Sequence, residues 1–249
     1  MNRSDETIDP LGLMPFRLIQ PKKGYRCSMD PFLLCGFAGF AEEKVIYDLG
    51  SGNGVISLLA ATRTTASRIV GVERQQQMVE RARRSVKLNA FGPRVSIVEE
   101  DIRQVEQSFP AGDADLVLSN PPFRAAEKGR ISNNAERAAA RHELAGGLEA
   151  FLKAASYLLK DGGRLCLVFL AERSAELIMM MKTCQLEPKR MRFCHHTPGE
   201  EASLILVEGV KGAVPGMTVE PPLIVYKGSE KAYTQEVLDM YGMNETRDA

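Results

Sequence analysis

The sequence predicts an α/β protein with a doubly wound, mostly parallel sheet of seven strands. Three observations predict it: short apolar runs alternate with segments of helical periodicity, the first run ends in a glycine-dense turn, and acidic or amide side chains follow successive runs. Alternating strands and helices form a parallel sheet with helices on both faces, and such sheets bind ligands beyond the carboxyl ends of their strands. We therefore expect the functional residues at those strand ends.

The first half of the chain supplies four of the predicted strands. They are short runs rich in β-branched and other apolar residues, at 45–49, 68–73, 95–98 and 115–119. The glycine turn 50–54 and a helix-compatible apolar run follow the first strand. After the second strand, Met78, Ala82 and Val86 recur at four-residue intervals among charged side chains, which predicts an amphipathic helix with one face on the sheet.

The second half supplies the other three strands. A helix is predicted by the apolar stripe Leu148, Phe151, Leu152, Ala155 and Leu159, and Lys160-Asp161-Gly162-Gly163 is expected to end it. The strand 165–170, a helix at 172–184 and two strands at 191–195 and 203–208 follow. We expect 1–44 to be an N-terminal segment, 45–210 the α/β domain, and 211–249 a C-terminal extension that packs on it.

Composition and charge exclude several function classes. The chain carries 32 basic and 32 acidic residues, so it lacks the global positive field of many nucleic-acid binders, and any such contact must be local. No apolar run approaches the roughly 20 residues of a membrane span, and the polar start is unlike a secretory signal, which predicts a cytoplasmic protein. Five scattered cysteines without a Cys-x-x-Cys pair indicate reduced thiols, and no metal is expected.

The predicted end of the sheet near residue 50 has the features of a cofactor site. A glycine turn lets a ligand approach the backbone, and the helix after it offers free N–H groups. Its spacing, Gly-x-Gly-x-Gly with Asp48 two residues upstream, differs from the Gly-x-Gly-x-x-Gly of dinucleotide-binding proteins and argues against a nicotinamide dehydrogenase. Glu73 ends the second strand, where a carboxylate can accept hydrogen bonds from both hydroxyls of a ribose, and Asp101 follows the third.

The fourth predicted strand is followed by Asn120-Pro121-Pro122-Phe123. The Asn120 amide oxygen is an acceptor, the prolines stiffen the chain and leave their carbonyls free, and Phe123 adds a flat apolar face. These features suit a planar substrate with an exocyclic amino group. Taken alone, the segment is equally consistent with a turn that ends a strand.

The glycine turn and this tetrapeptide together resemble the S-adenosylmethionine-dependent methyltransferases of amino groups, which methylate adenine N6, cytosine N4, guanine N2 or a glutamine amide. Several segments resemble, more narrowly, the bacterial tRNA1(Val) (adenine-37 N6)-methyltransferase family, and the similarity runs from about Arg17 to Gly242. The segments are 28–34, 48–54, 119–123, 140–143, 206–209 and 220–226.

The resemblance implies a Rossmann-like class I methyltransferase that uses S-adenosylmethionine and acts on the anticodon loop of a tRNA. The cofactor residues that it implies are Asp30, Asp48, Gly50, Ser51, Gly52, Asn53, Gly54, Glu73, Asp101, Ile102 and Asn120. The catalytic residues that it implies are Asn120, Pro121, Pro122 and Phe123, and the candidates for RNA contact are Arg124, Lys128, Arg130 and Arg141. Asp30 stands before Pro31, so its alternative role is a helix N-cap.

Two other functions remain open at this point. The same acceptor segment would suit a glutamine N5-methyltransferase that acts on a translation factor or ribosomal protein, although only about 44 residues precede the first strand and leave no large domain to present a protein. A non-catalytic protein that binds S-adenosylmethionine or RNA is the alternative from another class. The intact tetrapeptide favours an enzyme.

Overall fold

The computed structural model describes residues 4–11, 16–24, 26–122, 147–228 and 230–242. The strands are β1 (Glu6–Pro10), β2 (Arg17–Pro21), β3 (Val45–Leu49), β4 (Arg68–Glu73), β5 (Val95–Glu99), β6 (Ala114–Ser119), β7 (Leu159–Leu170), β8 (Leu186–His195), β9 (Ala202–Lys211), β10 (Thr218–Val219) and β11 (Leu223–Ile224). The helices are α1 (Asp30–Ala38), α2 (Val55–Arg63), α3 (Gln76–Leu88), α4 (Val105–Ser108), α5 (147–158), α6 (Ser174–Thr183) and α7 (Gln235–Met240). None of these helices is both long and apolar enough to cross a bilayer.

The central sheet has nine strands in the order β10-β8-β9-β7-β6-β3-β4-β5, and β11 also pairs with β8. Strands β3 to β7 are parallel to one another, whereas β9 runs antiparallel to both β7 and β8. The predicted doubly wound, mostly parallel sheet is confirmed. The seven predicted strands correspond to β3–β9, and the two short strands β10 and β11 extend the sheet beyond them. All parallel strands end at one side, which we call the carboxyl edge.

Helices cover both faces of the sheet, which explains the nearly continuous apolar strands. Ile46 and Leu116 face the layer that contains α1, α2, α3 and α7, while Tyr47 and Val117 face the layer that contains α5 and α6. Successive residues of a strand point to opposite faces, so a strand buried on both sides needs apolar residues at every position. Polar side chains are therefore left to the strand ends, where the predicted site lies.

The expected helix stop at residues 160–163 was wrong. Helix α5 ends at 158, and residues 159–170 form the single strand β7. Leu159, predicted on the helix stripe, pairs with Ala114 of β6, and the register then shifts before Arg164 pairs with Leu116. Gly162 has a φ of +77°, a conformation that lets the extra residues bulge without ending the strand.

The segments before and after the sheet pack on the same helical layer. Glu6 in the β1–β2 hairpin is buried and accepts hydrogen bonds from Arg81 Nε at 3.0 Å and from both terminal nitrogens of Arg84 at 2.6 Å, which fixes the hairpin to α3. After the sheet, α7 packs on α1, and the Tyr241 ring stacks on Phe32 at 4.2 Å between centroids. The division at residues 44 and 210 stays a prediction.

Candidate active site

The glycine turn between β3 and α2 is folded by three left-handed glycines. Gly50, Gly52 and Gly54 have φ values of 73°, 54° and 82°, which other residues adopt only with strain. The backbone N–H groups of Gly50 and Ser51 donate to the Val72 carbonyl of β4 at 2.9 and 3.0 Å. The turn is thus held against the neighbouring strand, and Gly54 forms the N-cap of α2.

Asp48 is fully buried beneath this turn. Its Oδ2 atom accepts hydrogen bonds from the Ser57 N–H at 3.0 Å and the Ser57 hydroxyl at 2.7 Å. Burial raises the pKa of Asp48 to about 7, because desolvation of the charged form outweighs the two hydrogen bonds. Ser57 was not identified from the sequence, although it is the one polar residue in the apolar run 55–60 and so was a usable signal.

Three buried oxygen atoms around the turn have no hydrogen-bond partner among the described residues. They are Asp48 Oδ1, Ser51 Oγ and Asn53 Oδ1. An unpaired buried polar atom costs free energy, and native proteins leave few of them. These acceptors fit a ligand that brings its own N–H or O–H donors. S-adenosylmethionine carries an ammonium group and two ribose hydroxyls, so the residues present fit this cofactor.

Glu73 closes the other side of the turn at the end of β4. Its Oε2 accepts from the Gly52 N–H at 3.0 Å, and its Oε1 accepts from the Gln75 N–H at 2.8 Å. The side chain is therefore fixed and largely buried, with 7% of its surface exposed. Each carboxylate oxygen keeps a further lone pair, so the predicted bidentate role toward ribose hydroxyls is chemically available.

Asp101 follows β5 and begins a short 3-10 helix, Ile102–Gln104. Its Oδ1 accepts from the backbone N–H of Arg103 at 3.0 Å and from Arg103 Nε at 2.9 Å. The hydrogen bonds from Arg103 lower the pKa of Asp101 to about 2, so this side chain is an ionised acceptor at neutral pH. Its predicted contact with an adenine amino group, and that of the half-buried Ile102, stay predictions.

The acceptor segment lies directly beside the glycine turn. Ser119, the last residue of β6, pairs with Leu49 of β3, and its hydroxyl donates to the Leu49 carbonyl at 2.9 Å. Asn120 therefore leaves the sheet next to Gly50, half-buried, with Pro121 buried and Pro122 exposed. Ser119 is a second residue whose structural role the sequence did not reveal. Phe123, Arg124, Lys128, Arg130 and Arg141 lie outside the described residues.

Asp30 is the first residue of α1, and the N-cap of that helix is Met29. The alternative role of Asp30 as the N-cap is therefore wrong. Burial raises the pKa values of the Cys27 and Cys194 thiols to about 12, and the nearby charge of Asp30 contributes to both. Asp30 thus lies close to the end of β8, at the carboxyl edge. Its role in cofactor binding stays a prediction.

Within the described ranges, no three His, Cys, Asp or Glu side chains are grouped so that they could hold a metal ion. The polar groups at the carboxyl edge are instead hydrogen-bond acceptors arranged around a turn of exposed backbone. Two adjacent halves result: an acceptor-lined turn between β3 and α2, and an amide with proline carbonyls at the end of β6. This arrangement can hold two ligands side by side.

Comparisons with known proteins relate most of the chain to one group. Residues 32–193 match the family model described as the methyltransferase small domain. A tRNA1(Val) (adenine(37)-N6)-methyltransferase of Porphyromonas gingivalis is 32% identical, with 78% of this chain and 77% of that protein covered. A protein of the same name from Flavobacterium johnsoniae is 26% identical over 90% of this chain and 94% of its own length.

Among solved structures, similarity is found to the crystal structure of a predicted O-methyltransferase from Agrobacterium tumefaciens. The TM-score is 0.70 at 28% identity, with 86% of this chain and 96% of that chain covered. Because 86% of this chain is covered, the similarity extends beyond strands β3–β9 into the β1–β2 hairpin, the elements after β9, or both.

Proposed function

Because the chain belongs to the methyltransferase small domain family, and within it to the tRNA1(Val) (adenine(37)-N6)-methyltransferases, we propose that it methylates the N6 amino group of an adenine in tRNA. The methyl donor is S-adenosylmethionine. The target that the relatives' names support is adenine 37, in the anticodon loop of tRNA1(Val). A tRNA substrate also supports the predicted cytoplasmic location.

One observation carries the proposal: the Ser119 hydroxyl bonds to the Leu49 carbonyl at 2.9 Å. This bond joins the end of β6 to the residue before the glycine turn, which supports an Asn120 that lies next to that turn. A methyl transfer needs the donor carbon and the accepting nitrogen close together and in line. Two adjacent subsites on neighbouring strands provide such an arrangement.

The cofactor residues divide by chemistry. Asp48, Ser51 and Asn53 offer acceptors to the ammonium and hydroxyl donors of S-adenosylmethionine, while Glu73 offers its carboxylate to the ribose. When bound, the cofactor supplies an electrophilic methyl group on its sulfonium. We propose the same cofactor role for the remaining predicted residues, which are Asp30, Gly50, Gly52, Gly54, Asp101, Ile102 and Asn120.

The acceptor residues orient a weak nucleophile. The lone pair of an adenine amino nitrogen is delocalised into the ring. Hydrogen bonds from the two N–H groups to the Asn120 side-chain oxygen and the Pro121 carbonyl would hold the nitrogen in position and favour a pyramidal geometry. Its proton becomes acidic as the N–C bond forms and leaves to water, so no strong base is required beforehand.

One of the similar solved structures is a predicted O-methyltransferase, so the hydrogen-bond acceptors of this site must be compared with what a hydroxyl or an amino substrate can donate. A hydroxyl group donates one hydrogen bond, whereas an amino group donates two, and the Asn120 and Pro121 oxygens form a pair of acceptors. This pair of hydrogen-bond acceptors therefore favours an amino nitrogen over a hydroxyl oxygen as the atom that is methylated.

An anticodon loop is single stranded, so extruding the adenine from it costs little free energy. We propose that Phe123 stacks on the extruded adenine. We also propose that Arg124, Lys128, Arg130 and Arg141 lie near the phosphates.

The test is methyl transfer from labelled S-adenosylmethionine to total tRNA, followed by digestion to nucleosides. We expect the label in N6-methyladenosine, at the position next to the anticodon of tRNA1(Val). Label in a glutamine of a translation factor or ribosomal protein would instead support the alternative enzyme. No transfer to either, with the cofactor bound, would support a binding protein.

The Asn120→Ala variant tests the mechanism. We expect the rate of transfer to fall by about 10²–10³-fold, the loss seen when one preorganised polar group of an active site is removed. Calorimetric binding of S-adenosylmethionine should persist, weakened only by the loss of the Asn120 contact, because Glu73 and the glycine turn are unchanged. The exposed amide variant Gln107→Ala on α4 is the control and should keep full activity. Normal turnover by Asn120→Ala would contradict the mechanism.

A further inference from the structure

A cavity of about 330 Å³ lies beside the start of α1, where the segment after β11 meets it. Aromatic and apolar side chains line it, among them Leu11, Met29, Phe32, Tyr226, Tyr233 and Tyr241. Its volume is at the lower end of the range for ligand pockets, about 300–1,000 Å³, which suits a single planar ring system. Among the described residues, neither the glycine turn nor the segment Asn120-Pro121-Pro122 lines it.

Four of the lining rings form a continuous stack. The centroids of Tyr226 and Tyr233 lie 5.2 Å apart at an angle of 18°, and those of Tyr233 and Tyr241 lie 5.5 Å apart at 27°. Tyr241 in turn stacks on Phe32 at 4.2 Å and 13°. The three tyrosines are only half-buried, so part of this set of nearly parallel rings remains open to solvent.

The backbone fixes the rings in place. Tyr226 donates its N–H to the His196 carbonyl at 2.8 Å, directly after β8, and forms an antiparallel bridge with Tyr233. The Thr234 hydroxyl accepts from the Val237 N–H and begins α7, which carries the chain to Tyr241. A preformed aromatic surface loses little conformational entropy when a ligand stacks on it.

The loop between the bridged tyrosines carries positive charge. Lys227 and Lys231 are both exposed, and neither forms an ion pair within the described part of the chain. Glu230 is also exposed in this loop, while the neighbouring Glu236 is paired with Arg192 at 2.5 Å. Two lysines next to stacked rings combine the contacts of single-stranded nucleic-acid sites, which bind bases by stacking and phosphates by charge.

The cavity lies on the acceptor side of the carboxyl edge. Tyr226 follows β11, which pairs with the outer edge of β8, so β11 is four strands from β6, on the side away from β4 and β5. Four strand spacings of about 4.8 Å give roughly 19 Å across the sheet, and the register puts Tyr226 about five residues farther along the strand direction than Asn120. The separation is therefore on the order of 25 Å. This separation is too long for the same base to occupy both places and short enough for a nearby nucleotide of one loop.

We propose that the tyrosine cavity binds a second unstacked base of the RNA substrate, a few nucleotides from the methylated adenine, while Lys227 and Lys231 contact its phosphates. The inference rests on the proposed function, since it assumes an RNA loop at the acceptor site. It adds a determinant of substrate choice: the enzyme engages two splayed bases of one loop, and the distance between the two subsites selects the loop.

The test compares Tyr226→Leu, which keeps apolar volume but removes the π face, with Tyr226→Phe, which keeps the ring. Stacking is worth about 1–3 kcal/mol per base, so we expect Tyr226→Leu to raise the KM for tRNA by roughly tenfold or more. The kcat and the affinity for S-adenosylmethionine should be unchanged. Tyr226→Phe should behave like the unmodified protein, and Tyr157→Leu, on the other helical layer, is the matched control.

Anticodon-loop RNAs with one abasic position each locate the second base. With the unmodified protein, we expect abasic sites at the target and at one other position to weaken equilibrium binding. With Tyr226→Leu, the second abasic site should have no further effect. Equal penalties in both proteins at every position would overturn the inference, as would a changed affinity for S-adenosylmethionine.

If Tyr226→Leu does not fold, variants of the exposed residues Lys227 and Lys231 still test the proposal, because their side chains do not pack in the core. Lys227→Gln with Lys231→Gln should reduce the slope of log affinity against log salt by about one for each phosphate that the variant no longer neutralises. An unchanged slope would count against the phosphate contacts and hence the inference. These are binding measurements, so they can fail while tRNA is still methylated; absence of methylation with normal RNA binding would instead overturn the proposed function.

Discussion

At the scale of single residues, Asp48 connects the folding of the chain to the binding of its ligand. Its carboxyl group is buried, its Oδ2 is satisfied by Ser57, and its Oδ1 has no partner in the described structure. A pKa of about 7 means that the neutral and ionised forms coexist near neutral pH. The ionised form suits an incoming ammonium group, whereas the neutral form suits a buried carboxyl group that has no cationic partner.

The sign of the resulting pH dependence follows from the raised pKa. The stabilising contribution of protonated Asp48 is fully present below the ordinary pKa of 3.8 and is lost as the pH rises through about 7. Asp48→Asn removes this dependence. Relative to Asp48→Asn, we expect the unfolding free energy of the unmodified protein to fall by on the order of 2 kcal/mol between about pH 5 and about pH 8. Denaturant titrations of both proteins measure it, and a constant difference would contradict the assignment.

Glu73 offers a matched pair of variants. It stands opposite Glu99 in the β4–β5 register, but Glu73 is buried and bonded to the glycine turn, whereas Glu99 is exposed. Glu73→Gln replaces one acceptor oxygen by a donor, so we expect roughly tenfold weaker binding of S-adenosylmethionine, about 1.4 kcal/mol. Glu99→Gln should bind normally. Calorimetry distinguishes the two, and equal effects would show that Glu73 has no special role.

At the scale of elements, β4 passes so close to the glycine turn that one of its residues has room for no side chain. A Cβ atom at Gly71 would lie 2.7 Å from Ile97 Cδ1, 2.9 Å from Ser57 Oγ and 3.0 Å from Ser51 Cβ. Glycine in a strand often marks such a close approach. The strand and the turn therefore form one packed unit, in which Ser57 reaches Asp48.

We expect Gly71→Ala to displace Ser57 from Asp48 and to destabilise the protein by about 1–3 kcal/mol, the usual cost of overpacking. Binding of S-adenosylmethionine should weaken as well, because Ser51 moves with the turn. Gly92→Ala is the control, since nothing lies within 4 Å of a Cβ atom there. Thermal unfolding and calorimetry measure the two effects, and a stable Gly71→Ala with normal binding would refute the packing argument.

The elements also show how much the sequence could predict. Strands β3 to β6 were located to within a residue, because burial on both faces gives apolar runs that glycine, proline or acidic residues interrupt. The start of β7 and the β1–β2 hairpin were not, since both depend on pairing with distant residues. Asp48 and Glu73 could be predicted as site residues from motif spacing. The unpaired oxygens of Ser51 and Asn53 could not, because the absence of a partner is a property of distances in the folded chain.

At the scale of the whole molecule, the segments on either side of the sheet are attached by different chemistry. The β1–β2 hairpin is held by the buried carboxylate of Glu6, whose side chain is 1% exposed, between Arg81 and Arg84. The segment after β9 is held mainly by apolar and aromatic packing of α7 on α1, with one ion pair between Glu236 of α7 and Arg192 of β8. The hairpin attachment is therefore sensitive to loss of charge, and the α7 attachment mainly to loss of apolar packing.

We expect Glu6→Gln to destabilise the protein by about 2 kcal/mol, because two arginines lose a charged partner in a largely buried place. The loss should be local, so hydrogen exchange should accelerate in β1 and β2 before the central strands. Glu149→Gln breaks the exposed pair with Lys153 and should cost no more than about 0.5 kcal/mol. Uniform acceleration of exchange across the sheet would contradict a local role.

The packing of α7 on α1 has a consequence for how the protein is made. Gly36 leaves a space that Met240 fills, since a Cβ atom there would lie 2.4 Å from Met240 Cγ, yet some 200 residues separate the two in sequence. At roughly 5–20 residues per second of synthesis, α1 waits on the order of ten seconds or more for its cover. During that interval the apolar face of α1 is open to solvent, so the nascent chain is exposed to chaperones and to aggregation until α7 leaves the ribosome.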